Sequence, residues 1–155
     1  MNTFKNDLEL SRIFELELIK HLGNVERFEQ VPSDKAFTEY DIKIFMSDGA
    51  EETYEVKCDF KSTITKNICI EYQQFRGGVM KKTGISKSKA KYWAIFSPID
   101  INNYELFIIT RKRLIKMINN QEYFDQKKTF DQSYIVLFKK DQIKNNSTYY
   151  KRVIN

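Results

Sequence analysis

Histidine, cysteine and long apolar runs are all scarce in this chain of 155 residues, and each scarcity narrows the function. The single histidine, His21, cannot form an imidazole-rich metal site, and a lone histidine is more often a hydrogen-bonded structural or surface residue. The two cysteines, Cys58 and Cys69, lie in apolar runs without C-x-x-C spacing. They are expected to be small buried thiols in a reducing compartment rather than a disulfide or a zinc site. No N-terminal apolar h-region and no long apolar span is present. Signal-peptide secretion and a membrane partner are therefore not expected, and the location expected is intracellular: cytoplasmic, or nuclear in a eukaryotic host.

What is present describes a folded, basic domain. A hydrophobic content of 41% with 14% aromatics suits a packed core, and the length suits one domain over residues 1–155. The formal net charge of +5 and pI near 9.1 suit a polyanionic partner without requiring one.

Periodicity divides the chain into short elements. Helical spacing of Leu8, Leu10, Ile13, Phe14, Leu18, Ile19 and Leu22 predicts a helix over 6–22, stopped at Gly23. A strand over 25–31 leads to a turn at Pro32-Ser33-Asp34. Strands over 38–46 and 52–60 flank the turn Ser47-Asp48-Gly49-Ala50, with Asp41, Lys43 and Phe45 opposite the apolar face of the first. A further strand spans 67–75. Residues 76–85 form a mobile, glycine-bearing basic loop, and Ser86 caps a short helix through Lys91. Strands at 92–96 and 104–109, a helix at 111–119 capped by Thr110, a last strand at 134–138 and a flexible tail over about 144–155 complete the chain. This alternation predicts a mixed α/β fold, a central mixed sheet flanked by helices.

One constellation carries chemistry. Asp41 is followed 14 positions later by Glu55-Val56-Lys57, across a turn. Side chains on a strand alternate faces, so Glu55 and Lys57 project together, and a hairpin returns Asp41 beside them. Two carboxylates and an ammonium then meet on one patch, suited to holding a hard divalent cation against a phosphate. An exposed cross-strand salt bridge would leave the same trace, at about 0–1 kcal/mol. Against that, these charges interrupt strands that are otherwise apolar, and burial of unmatched charge is costly.

The pattern Tyr40-Asp41 with Glu55-Val56-Lys57, together with Glu17 and Glu71, resembles the PD-(D/E)xK nuclease superfamily over about residues 6–97. The segments Gly84-Ile85-Ser86 and Ser88-Lys89-Ala90-Lys91-Tyr92-Trp93 are similar to segments of its small phage and viral members. The first-helix glutamate also looks like the Holliday-junction resolvases, which cut as dimers, so a homodimer would be implied for symmetric junctions.

The resemblance implies a restriction-endonuclease-like core and a Mg²⁺-dependent DNA endonuclease, with Mn²⁺ able to substitute. Asp41, Glu55, the carbonyl of Val56 and Glu17 would hold the metal, and Lys57 would contact the scissile phosphate or orient water. Glu9 and Glu15 are expected to be solvated. Glu71 either approaches the metal from the side or pairs with Lys57, and Gln73, on the same face, would position water or substrate. Arg76, Lys81, Lys82, Lys87 and Lys89 would contact the nucleic-acid backbone. The rival is a nucleic-acid-binding protein that keeps the fold without catalysis.

Overall fold

The protein is described by a computed structural model covering residues 3–32 and 39–154, with backbone only for 3–8. Its ten strands and four α-helices form a mixed α/β fold, as the periodicity implies. Helix α1 (Thr3–His21) precedes a meander of β1 (Val25–Gln30), β2 (Ile42–Met46) and β3 (Glu51–Cys58). After α2 (Ser62–Thr65) come β4 (Asn67–Arg76) and β5 (Val79–Lys82), then β6 (Tyr92–Pro98) and β7 (Tyr104–Thr110). Helix α3 (Arg111–Asn119), β8 (Asp125–Lys128), β9 (Ser133–Lys139), α4 (Lys140–Lys144) and β10 (Thr148–Arg152) follow.

These strands form two sheets rather than one. The larger has the order β1-β2-β3-β6-β7-β10 and is mixed, because β3 and β6 run parallel while its other pairs are antiparallel. The smaller has the order β5-β4-β9-β8 and is antiparallel throughout. The crossover from β3 to β6 thus passes through the second sheet, which takes the place on that face where flanking helices were expected.

Alternation on the central strands explains the layering. Ile42, Ile44, Tyr54, Val56, Ala94 and Phe96 face Phe14 and Leu18 of α1. Trp93, Ile95, Phe107 and Ile109 face the other way and meet Ile68, Ile70, Val136 and Phe138 of the second sheet, with Leu114 and Met117 of α3. Both faces of β6 are therefore covered, whereas the second face of β3 carries Glu55 and the part-exposed Lys57. Full burial of each such side chain stabilises by about 1.5–3 kcal/mol.

Local signals held at several ends. Thr110 Oγ1 accepts from Arg113 N at 3.2 Å, capping α3 as its position predicts. The β2–β3 hairpin turns where expected, with Gly49 at φ 88°. At the end of α1 the left-handed residue is Asn24, φ 61°, rather than Gly23.

Other expectations are corrected. The strand expected over 38–46 is regular only from Ile42; Thr38, and Ser33 and Asp34 of the expected turn, lie outside the described residues. The stretch 76–85 is not an irregular loop: β5 pairs with β4 around Gly77-Gly78, both at positive φ, a two-residue hairpin turn. No helix runs from Ser86 to Lys91; a 3-10 turn covers Gly84–Ser86 instead. The tail over 144–155 contributes β10, which pairs with β7 as an edge strand. Cys58 and Cys69 are free thiols, but Cys69 is exposed. Among the described residues, no helix is long and apolar enough to cross a membrane.

Gly84 fixes how the crossover meets β4. Its φ is +48°, and a Cβ there would lie 2.1 Å from the carbonyl oxygen of Glu71. Gly84→Ala must push the backbone of β4 aside as well as strain φ, and should cost about 1–3 kcal/mol or more in urea unfolding. An unchanged midpoint would show that this close approach is not required.

Candidate active site

Asp41 lies one residue before β2 and is held from three directions. Its N–H donates to Tyr54 O at 2.9 Å, and its carbonyl accepts from Val31 N at 2.9 Å. Its Oδ2 accepts from Val56 N at 2.7 Å. The hairpin register Ile42↔Tyr54 therefore brings Asp41 against the Glu55-Val56 peptide, as the spacing implies. Val56 turns its side chain into the α1 core, so only its backbone faces this patch. Glu55 is buried, and Lys57 Nζ lies 2.8 Å from Glu55 Oε1 with 47% of its side chain exposed. The ammonium also stands 5.7 Å from the centre of the Trp93 ring on β6.

The patch is strained electrostatically. Burial, and then the charge of Glu55, raise the Asp41 pKa to about 6, against the pull of Lys57 and the Val56 N–H. Crowding around the Lys57 ammonium disfavours its charge. Glu55 and Asp41 outweigh that and hold its pKa above the ordinary lysine value, with Glu71 adding to the effect.

The first-helix carboxylate at this patch is Glu15, not Glu17. Glu15 is only 4% exposed, correcting the expectation that it is solvated. It accepts from Gln30 Nε2 at 2.6 Å and Arg12 Nη1 at 3.1 Å, and its charge acts on Asp41. Burial raises its pKa above the usual carboxylate range. Glu17 is also buried, but its partners are Lys20, Tyr104 (3.1 Å) and Arg152 (2.6 Å), away from Asp41 and Lys57. His21 joins that second cluster through the Tyr104 hydroxyl at 2.7 Å, consistent with a structural role.

Around a helix at about 100° per residue, Glu15 and Glu17 fall on opposite flanks of the Phe14–Leu18 stripe. Which flank meets Asp41 depends on how α1 crosses the sheet, and nothing local in the sequence encodes that crossing.

Glu71 comes from the second sheet yet reaches the patch, sharing with Lys57 the lining of one cleft. Gln73 does not share its face. A bulge between the two pairs Glu71 with Ile135 but Gln73 with Tyr134, on the other side of β9, so Gln74, opposite Ser133, takes the face Gln73 was expected to hold. Arg76, Lys81, Lys82, Lys87 and Lys89 are all exposed. Lys89 is ion-paired with Glu39 at 2.6 Å.

Mg²⁺ needs only one or two carboxylates when waters complete its shell, and Asp41 with Glu55 supplies hard oxygens of that kind. Among the described residues no three His, Cys, Asp or Glu side chains stand close enough to hold an ion together. Lys57 is the cation that Glu55 meets here. Comparison with known proteins adds nothing further: no family model, curated protein or solved structure matches the chain.

The Asp41 shift has a measurable sign. The folded state holds this proton more tightly than the unfolded chain, so ionised Asp41 costs stability above its pKa of about 6. That cost is relieved as pH falls towards the ordinary aspartate value of about 4. Asp41→Asn keeps an acceptor for Val56 N and removes the charge. It should raise the unfolding free energy by about 1–2 kcal/mol at about pH 8, allowing for partial exposure, with the gain gone near pH 4. A variant less stable than the parent at the higher pH would contradict this account.

Proposed function

We propose that this chain is a metal-dependent DNA endonuclease of the PD-(D/E)xK kind. The observation that carries the proposal is the convergence of Asp41 with the Glu55–Lys57 pair, where burial and like charge leave Asp41 short of positive charge. A carboxylate held at a cost to its own ionisation, as Asp41 is, suits a site built for a cation rather than for stability.

A bound Mg²⁺ or Mn²⁺ would neutralise phosphate charge and acidify a water for attack on phosphorus. Asp41 and Glu55 would hold the cation, joined by the Val56 carbonyl, while Glu15 rather than Glu17 stands ready to support it from α1. Once Glu55 turns to the cation, Lys57 is free to meet the scissile phosphate and balance the charge that builds there. Arg76, Lys81, Lys82 and Lys87 remain open to the DNA backbone, whereas Lys89 must first leave Glu39. Cutting a symmetric junction would further require a second copy of the chain.

The closed Lys57–Glu55 pair favours one rival, a binding protein that keeps the patch as a salt bridge. A cleavage assay on linear, single-stranded, flapped and four-way DNA with Mg²⁺ and Mn²⁺ separates the two. Lys57→Ala should lower cutting by about 10²–10³-fold while binding changes little. Cutting that persists in both Lys57→Ala and Asp41→Ala removes the proposal. DNA binding unaffected by Mg²⁺, with no cutting of any substrate, establishes the rival.

A further inference from the structure

A cleft of about 560 Å³ opens beside Lys57, between the end of β3 and the face of the second sheet that bears Glu71. That volume lies within the range of about 300–1,000 Å³ that admits one small ligand, so it can hold a nucleotide or two. Resting on the nuclease reading above, we infer that the cleft takes one unpaired nucleotide of a DNA strand, base inward, with the adjoining phosphate at Lys57. The substrate of the site is then single-stranded or flapped DNA rather than continuous duplex.

Three independent features support this. The first is chemistry of the lining. Phe60, 45% exposed, offers a ring on which a base can stack, and Ile135 adds an apolar wall. Asp59 and Asp131 also line the cleft. Both already accept from the protein, Asp59 from Ser62 N and Cys69 N and Asp131 from Thr129 Oγ1 and Ser133 N. As carboxylates they repel a phosphate, which sets the orientation: base to the cleft, phosphate to Lys57 and Lys61.

The second is an imbalance of hydrogen bonding. Among the described residues three buried side-chain polar atoms lack a partner, and two of them, Trp93 Nε1 and Ser133 Oγ, belong to residues lining this cleft. Buried polar atoms are nearly always satisfied, and both of these lie within the wall of one cavity.

The third is direction. Directly opposed residues in an antiparallel pair share a face. Gln74 opposes Ser133 and Lys81 opposes Gln74, and Arg76 lies two residues beyond Gln74. The cleft face of β4 and β5 therefore carries Arg76 and Lys81, along which a strand leaving the cleft runs, while Lys82, paired with Gln73, lies on the other face. Phe75 and Met80, paired with each other, take the opposite face.

The chain has one tryptophan, and it lines the cleft, so its emission reports occupancy without any cleavage. Asp41→Asn protein in EDTA is titrated with a single-stranded oligonucleotide and with a blunt duplex of the same sequence and length, binding being followed in parallel by anisotropy. The single strand should give a saturable change in emission, with the duplex at least about tenfold weaker. Adding Phe60→Ala, at an exposed position, should weaken single-strand binding by about tenfold, as expected for one lost stacking contact.

Equal responses to both DNAs, binding with no change in emission, or unaltered affinity in Phe60→Ala would each overturn the inference. Cleavage with Mg²⁺ and Mn²⁺ is scored separately. Duplex cut as fast as single strand overturns the cleft assignment and leaves the nuclease standing. No cutting of any DNA removes the nuclease, while the emission change still decides whether an unpaired nucleotide occupies the cleft.

Discussion

Asp41 ties three strands together through one residue. Its N–H reaches β3, its carbonyl receives Val31 beyond β1, and its carboxylate receives the Val56 N–H. Two of these are hydrogen bonds between peptide groups, as in an ordinary ladder; the third places a charged acceptor where a neutral one would do. The hairpin register, the approach of Glu55 and the height of Lys57 over Trp93 follow from that attachment. Because the same carboxylate is half-desolvated beside Glu55, the joint that orders the sheet is also its least comfortable charge. Structure and candidate chemistry share one side chain, a familiar conflict between stability and function.

The second sheet completes what the hairpin begins. A parallel pair such as β3 and β6 is commonly joined by a crossover helix. Here the chain passes instead through β4 and β5 and closes with Gly84 against the Glu71 carbonyl. That path brings a carboxylate from a different sheet to Lys57 and walls off a cleft. The opposite flank of α1 is fastened quite differently: Glu17 meets Arg152 of β10 and Tyr104 of β7, a cluster that anchors the helix.

Much of this was legible in the sequence because it is local. Alternation assigned the faces of β2 and β3 and so brought Asp41, Glu55 and Lys57 together, and Thr110 announced its helix. The failures concern information carried between elements. Glu15 and Glu17 flank the same apolar stripe symmetrically, and only the crossing of α1 over the sheet chooses between them. β4 has the alternation of a strand but nothing in it says which sheet it joins. The segment 76–85 has the composition of a loop, yet Gly77-Gly78 is equally a hairpin turn once β4 offers an edge. Trp93 ends the segment Ser88-Lys89-Ala90-Lys91-Tyr92-Trp93, yet its place beneath Lys57 and in the cleft wall comes from the pairing of β3 with β6.

The bulge at Glu71/Gln73 shows where the character of the cleft rim is stored. Strict alternation over the same residues would give the face of Glu71 to Gln73 and Phe75; the extra residue at the bulge gives it to Gln74 and Arg76 instead, with no side chain exchanged. The polarity of that rim thus depends on how β4 pairs with β9 as well as on which residues β4 contains.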